Sequence, residues 1–83
     1  MNPNAALQLD ERGVLCPLPV IHLAQQITSI GQGELIEVLA DDPAAATDIP
    51  AWCAMKGHEL VSASHKGGPP LPSWTSYLVR RLD

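Results

Sequence analysis

The chain has no phenylalanine, and its aromatic side chains are Trp52, Trp74 and Tyr77. Basic residues are also scarce: five Lys and Arg stand against nine Asp and Glu, a formal charge of −4. Phosphate backbones need a basic surface, so direct nucleic-acid binding is excluded as the main activity. Only two cysteines occur, Cys16 and Cys53, with no CxxC pair. Their scarcity excludes a disulfide-stapled scaffold, a zinc ribbon and a thioredoxin-type site. His22, His58 and His65 show no ligand spacing with the cysteines, so no metal and no cofactor are expected. No apolar run reaches the roughly 18–20 residues of a membrane span, which excludes a membrane helix. Residues 1–6 lack a basic stretch followed by an apolar one, so no signal peptide is expected and the location is read as cytoplasmic. At 83 residues the chain is expected to form a single domain over 1–83, with 1–5 as a flexible tail. It is too short to enclose a deep pocket, and nothing in it calls for a second copy, so a monomer is expected.

The apolar pattern supplies the elements. Residues 6–10 alternate weakly, as a short strand does. After a break at Glu11, Arg12 and Gly13, a helical pattern starts beyond Cys16. Val20, Leu23, Ala24, Ile27 and Ile30 share one face, and His22, Gln25, Gln26 and Ser29 the other. Gly31 is placed as its left-handed cap. Residues 34–40 are short, mostly apolar and bounded by turn residues, as a buried strand is. A second helix is expected within 44–56. Asp42 and Pro43 can initiate it, but Pro50 cannot sit deep in a helix. The main body is therefore placed from Asp48, with Asp48 as cap and Pro50 in the first turn. Ile49, Trp52 and Cys53 then share a face, and Gly57 ends the helix. Residues 58–65 and 74–82 read as strands, joined by a loop over 66–73 rich in glycine and proline. The order β-α-β-α-β-β predicts an α/β two-layer sandwich, a four-stranded mixed sheet with two helices on one face.

Cys16 stands just before this first helix, with Pro17 and Pro19 at the expected first and third positions. A helix N-terminus carries positive partial charge and open N–H donors. A thiol held there is expected to have its pKa lowered toward neutrality. Cys53 reads instead as a small core residue. His22 is read as a solvated histidine of the polar helix face, His58 and His65 as surface residues at strand ends. Asp10 is a turn or cap residue. Arg80 and Arg81 fall on opposite faces of the last strand, at a solvated edge.

Leu9-Asp10, Gly13 and Cys16-Pro17-Leu18-Pro19 resemble the CPxP motif of the TusA/SirA-like sulfur-carrier family. The second block, Ala40-Asp41-Asp42-Pro43 with Asp48-Ile49-Pro50, Cys53 and Gly57-His58-Glu59-Leu60, is similar to the same family, as is the closing stretch Tyr77-Leu78-Val79-Arg80-Arg81. The resemblance spans residues 7–81. It implies a sulfurtransferase that accepts a sulfane sulfur as a persulfide on Cys16 and relays it to a partner. Such proteins serve tRNA thiolation, molybdenum-cofactor assembly or sulfur oxidation. The implied partners are a sulfur donor, a cysteine desulfurase or rhodanese-like protein, and an acceptor protein. Pro17 and Pro19 carry over as the frame of the cysteine, and the second block only as a fold signature. Two features depart from the pattern: Leu18 stands where tRNA-thiolation members carry an acidic residue, and the 66–73 loop is longer and richer in proline. The competing reading is a non-catalytic regulatory or redox-sensing module of the same fold.

Overall fold

A computed structural model describes residues 3–83. It contains β1 (Ala5–Glu11), α1 (Leu18–Gln26) with a 3₁₀ turn at Ile27–Ser29, β2 (Leu35–Ala40), α2 (Ala45–Lys56), β3 (Glu59–Gly68) and β4 (Leu71–Arg80). The strands form one sheet in the order β1-β2-β4-β3. β1 and β2 run parallel, and β4 is antiparallel to both of its neighbours. The expected mixed α/β sheet is therefore present, and the last two strands form a hairpin.

The core lies between sheet and helices. Leu23, Ile27 and Ile30 from the first helical segment and Ile49, Trp52 and Cys53 from α2 pack onto Ile36, Val38, Ala40, Tyr77 and Val79. Side chains alternate across a strand, so Leu35, Glu37 and Leu39 of β2 face the other way. All six residues of β2 are nonetheless buried, because it is a central strand. On that far face Ala5, Leu35 and Leu78 form a small apolar cluster. The buried Glu37 carboxylate beside it accepts hydrogen bonds from Gln8 (2.8 Å) and Ser76 (2.6 Å). A buried carboxylate needs such donors to offset its lost hydration.

Several boundaries differ from the sequence expectation. Of the tail placed at 1–5, Met1 and Asn2 lie outside the described residues, and Ala5 is a buried residue that opens β1. Helix α1 starts at Leu18, so Pro17 is its N-cap and not its first residue. Pro19 is fully buried, whereas Ala24 is exposed despite its apolar spacing. Gly31 is not a left-handed cap. The helix tightens into the 3₁₀ turn and leaves through Ile30 in an extended conformation. Helix α2 begins at Ala45, three residues before the expected cap, and holds Pro50 in its interior. Its first turn is stitched by i→i−3 bonds from Ala45, Ala46 and Thr47, a tighter start that leaves Asp48 as the acidic residue of that turn. Gly57 ends α2 as expected, at φ 75°, with its own N–H and that of His58 both returning to the Cys53 carbonyl. The 66–73 stretch is mostly sheet: Lys66 pairs with Trp74, Gly67 with Ser73, and Gly68 with Leu71 across a bulge. Gly67 is required there, since a Cβ would meet the Pro72 carbonyl oxygen at 2.1 Å.

Candidate functional site

Because β1 and β2 are parallel neighbours, both release their chains at the same edge of the sheet, where Glu11 pairs with Ala40. The β1–α1 and β2–α2 loops therefore lie side by side, the usual place for a site in an open α/β sheet. Cys16 sits in the first loop and the Asp41-Asp42-Pro43 turn in the second.

The second loop holds the first. After β1 the chain turns at Gly13 (φ 81°), and Val14 N–H returns to the Glu11 carbonyl. Gly13 N–H donates to both Asp41 carboxylate oxygens, at 2.9 and 3.0 Å. Cys16 N–H donates to Asp42 Oδ2 at 2.7 Å, while Asp42 Oδ1 accepts the Ala44 N–H at 3.0 Å. Asp42 thus braces the turn that leads into α2 and fixes the cysteine backbone together. These donors hold its carboxyl below the ordinary value, the Cys16 N–H contributing most.

The cysteine side chain is half-buried, and its thiol donates a hydrogen bond to Asp48 on α2. That contact reverses the electrostatic expectation. The Cys16 thiol is pushed up to about 11, first by the hydrogen bond to Asp48, then by desolvation and by the charges of Asp48 and Asp42. A helix end acts only over its first turn, and Cys16 stands outside the cap at Pro17. A carboxylate in contact with sulfur outweighs it.

Beside the sulfur an open groove of about 300 Å³ runs between the helices, lined by Pro17, Val20, Asp48, Ala51, Trp52 and Met55. Met55 on its wall is 72 % exposed, and Leu15 (73 %), Leu18 and Ile21 of the first loop and α1 also leave apolar side chains in solvent. Pro19 beneath is core. The two prolines therefore do different work: Pro17 borders the groove and Pro19 anchors α1 to the sheet.

Other residues singled out in the sequence lie elsewhere or have partners. His22 is half-buried and its Nδ1 contacts the buried Glu11 carboxylate, tying α1 to the end of β1. Asp10 is not a turn residue but lies in β1, opposite Leu39, and is bound by the Arg12 guanidinium (2.7 and 2.8 Å) and backbone, which lower its carboxyl to about 2. Arg12 also lies over the Trp74 ring, 5.0 Å from its centroid. Cys53 is buried in the core, where desolvation raises its thiol to about 11. His58 stacks on Trp52 and accepts the Leu82 N–H. His65 is exposed on β3. Arg80 pairs with Glu59 at 3.5 Å, and Arg81 donates to the Ile30 carbonyl at the end of the first helical segment. Among the described residues no cluster of His, Cys, Asp and Glu is arranged to hold a metal ion. The contribution that sequence reasoning missed is that of Asp42 and Asp48. Their signals were the helix-start readings and the pair of blocks, Asp41-Asp42-Pro43 and Asp48-Ile49-Pro50, read as a fold signature; neither brings a carboxylate to the cysteine.

Fold and site together define a small α/β thiol protein, its half-exposed cysteine framed by prolines and carboxylates where two parallel strands end. The chain belongs to the sulfurtransferase TusA family, whose model matches residues 7–80. A sulfur carrier protein TusA of Pseudomonas syringae pv. syringae (strain B728a) is 41 % identical over 67 residues, covering 81 % of this chain and 80 % of the relative. The protein of the same name from Pseudomonas paraeruginosa (strain DSM 24068 / PA7) is 40 % identical over 60 residues, covering 72 % of this chain and 76 % of the relative. Among solved structures, a SirA-like protein from Desulfitobacterium hafniense superposes with a TM-score of 0.67 at 18 % identity, covering 90 % of this chain and 97 % of that one, a likeness of fold. No helix among the described residues is long and apolar enough to cross a membrane.

Proposed function

We propose that this protein is a sulfur carrier that accepts a sulfane sulfur on Cys16 and passes it to a second protein. The observation that carries the reading is the seating of Cys16. Its backbone is fixed by Asp42 while its side chain stays half-exposed beside an open groove lined mostly by apolar side chains. A carrier needs no enclosed substrate pocket; it needs a reachable sulfur and a surface on which a partner can dock. The names of the curated relatives agree with that role.

The step is thiol–persulfide exchange. Cys16, as thiolate, attacks the outer sulfur of a donor persulfide, R–S–S–H. A bond forms between Cys16 Sγ and that sulfur, the bond between the two donor sulfurs breaks, and the donor cysteine leaves as its thiolate. The sulfane sulfur keeps its oxidation state, so neither oxidant nor reductant is consumed. Delivery repeats the exchange with the acceptor thiolate as nucleophile. The donor is a cysteine desulfurase or rhodanese-like protein, and the carrier works as a monomeric, single-domain protein of the cytoplasm.

The alternative, a redox-sensing module, is less well supported. Sensor thiols often stand beside a resolving cysteine, whereas the second cysteine, Cys53, is buried in the core. Mass spectrometry tests the reading. After incubation with a cysteine desulfurase and L-cysteine, or with a rhodanese and thiosulfate, the Cys16 peptide gains one sulfur and loses it to an acceptor thiol. Cys16→Ala gains none. Added sulfur on Cys53 with Cys16 untouched, or none from either donor, overturns it.

A further inference from the structure

The proposed reaction needs a thiolate, yet the resting structure places the Cys16 thiol against a carboxylate 32 residues away in sequence. Asp48 lies in the first turn of α2 and lines the same open groove as Pro17, Val20, Ala51, Trp52 and Met55, so its carboxylate can be reached from outside. Among the described residues no Lys, Arg or His pairs with Asp48. Arg12 is taken by Asp10, Arg80 faces Glu59 and Arg81 serves backbone carbonyls. The remaining charged groups around the Cys16 loop are Asp41 and Asp42, each receiving backbone N–H donors of that loop, and the Glu11–His22 pair. The Asp48 carboxylate is therefore not neutralised by a cation of this chain among the described residues and is open to one from another molecule.

We propose that Asp48 is a positioning residue that holds Cys16 in reserve: its carboxylate keeps the proton on sulfur in the free protein, and a cationic side chain of the docked partner, by pairing with Asp48, frees the sulfur to react. The inference rests on the carrier reading. It adds a reason for the sulfur to stay inert until a partner covers the groove. A carboxylate in contact disfavours a second negative charge, and a cation beside it removes that penalty. The direction agrees with the raised thiol. On pairing, the thiol proton leaves to solvent and the exchange proceeds as above. The net charge of −4 suits a partner surface that supplies Lys or Arg.

The test follows iodoacetamide alkylation of Cys16 by peptide mass between pH 6.5 and 11. In the wild type the rate is expected to go on climbing above pH 9.5. In Asp48→Asn the inflection falls by a unit or more, so the rate at pH 7.5 rises about tenfold or beyond. A wild-type plateau below pH 9 overturns the proposal without any variant, and so does a folded Asp48→Asn whose profile superimposes on the wild type. The second arm measures sulfur loading from a cysteine desulfurase with L-cysteine. Asp48→Asn is expected to raise the half-saturating donor concentration several-fold without lowering the maximal rate. An unchanged half-saturation overturns the role of a partner cation. Alkylation needs no persulfide, so failure of loading in the wild type would count against the carrier reading and leave the Asp48 result to stand by itself.

Discussion

Asp42, with Asp41 beside it, ties the two loops into one structure. One carboxylate oxygen takes the Cys16 N–H and the other the Ala44 N–H. Replacing it with Ala leaves both donors without their charged acceptor. Hydrogen exchange of the Cys16 and Ala44 amides, followed by NMR, is expected to accelerate about tenfold or more, with amides of β2 and β4 unaffected. Equal protection in Asp42→Ala would mean that the loop is held by its other contacts. The place of Cys16 was legible, because a cysteine just ahead of two prolines at a helix start is a local pattern. Asp48 was not. It reads as a helix cap, and only tertiary packing of α2 beside the first loop turns its carboxylate to the sulfur. The thiol's electrostatics were misjudged for the same reason: the helix end is visible in the sequence, the carboxylate across the groove is not.

Among the elements, α2 conflicts most with its own sequence. Pro50 removes the N–H that would reach the Ala46 carbonyl, and placing α2 from Asp48 avoids that cost. The structure accepts it, because the longer helix buries Ala45 as well as Ile49, Trp52 and Cys53 against the sheet. Pro50→Ala restores the missing bond and a better helix former. The gain exceeds what the unfolded chain recovers in freedom, so a rise in stability of about 1–2 kcal/mol is expected. For a domain of this size that raises the melting temperature by several degrees. A lower melting temperature would show that the Pro50 ring contributes packing worth more than the bond. The 66–73 segment failed in the opposite direction. Its glycines and prolines suggested a loop, yet Gly67 and Gly68 take the positive φ values that let β3 and β4 stay paired almost to their tip. By contrast α1 and β2 were legible, since a helical apolar stripe and a short apolar run each have one solution.

Over the whole molecule, the β-α-β-α-β-β order carried the architecture, because alternating strands and helices in so short a chain leave few ways to bury one sheet face. What it did not carry is how stability depends on pH, which comes from groups brought together by the fold. On the acid side, Asp10 and Asp42 are held below their ordinary value of 3.8. A lowered carboxyl stabilises the fold above its unfolded value and loses that contribution as pH falls through the folded one. On the alkaline side, burial raises Cys53 from 9.0 to about 11 and Asp48 raises Cys16 likewise. A raised thiol contributes in full below 9.0, and its contribution disappears as pH climbs through the folded value. For these groups the urea midpoint is expected to be level between about pH 4 and 9 and to fall on both sides. For Cys53, which is 2 % exposed, the alkaline loss is of order 2 kcal/mol by pH 11. Cys53→Ala separates this from general alkaline unfolding. The variant is expected to start about 1 kcal/mol less stable at pH 7, through lost core packing, yet to decline more gently between pH 9 and 11 because one buried thiol no longer has to ionise. Parallel curves for the two proteins would assign the alkaline fall to other groups, Cys16 and the buried Tyr77 phenol, which desolvation also raises, being the first to examine.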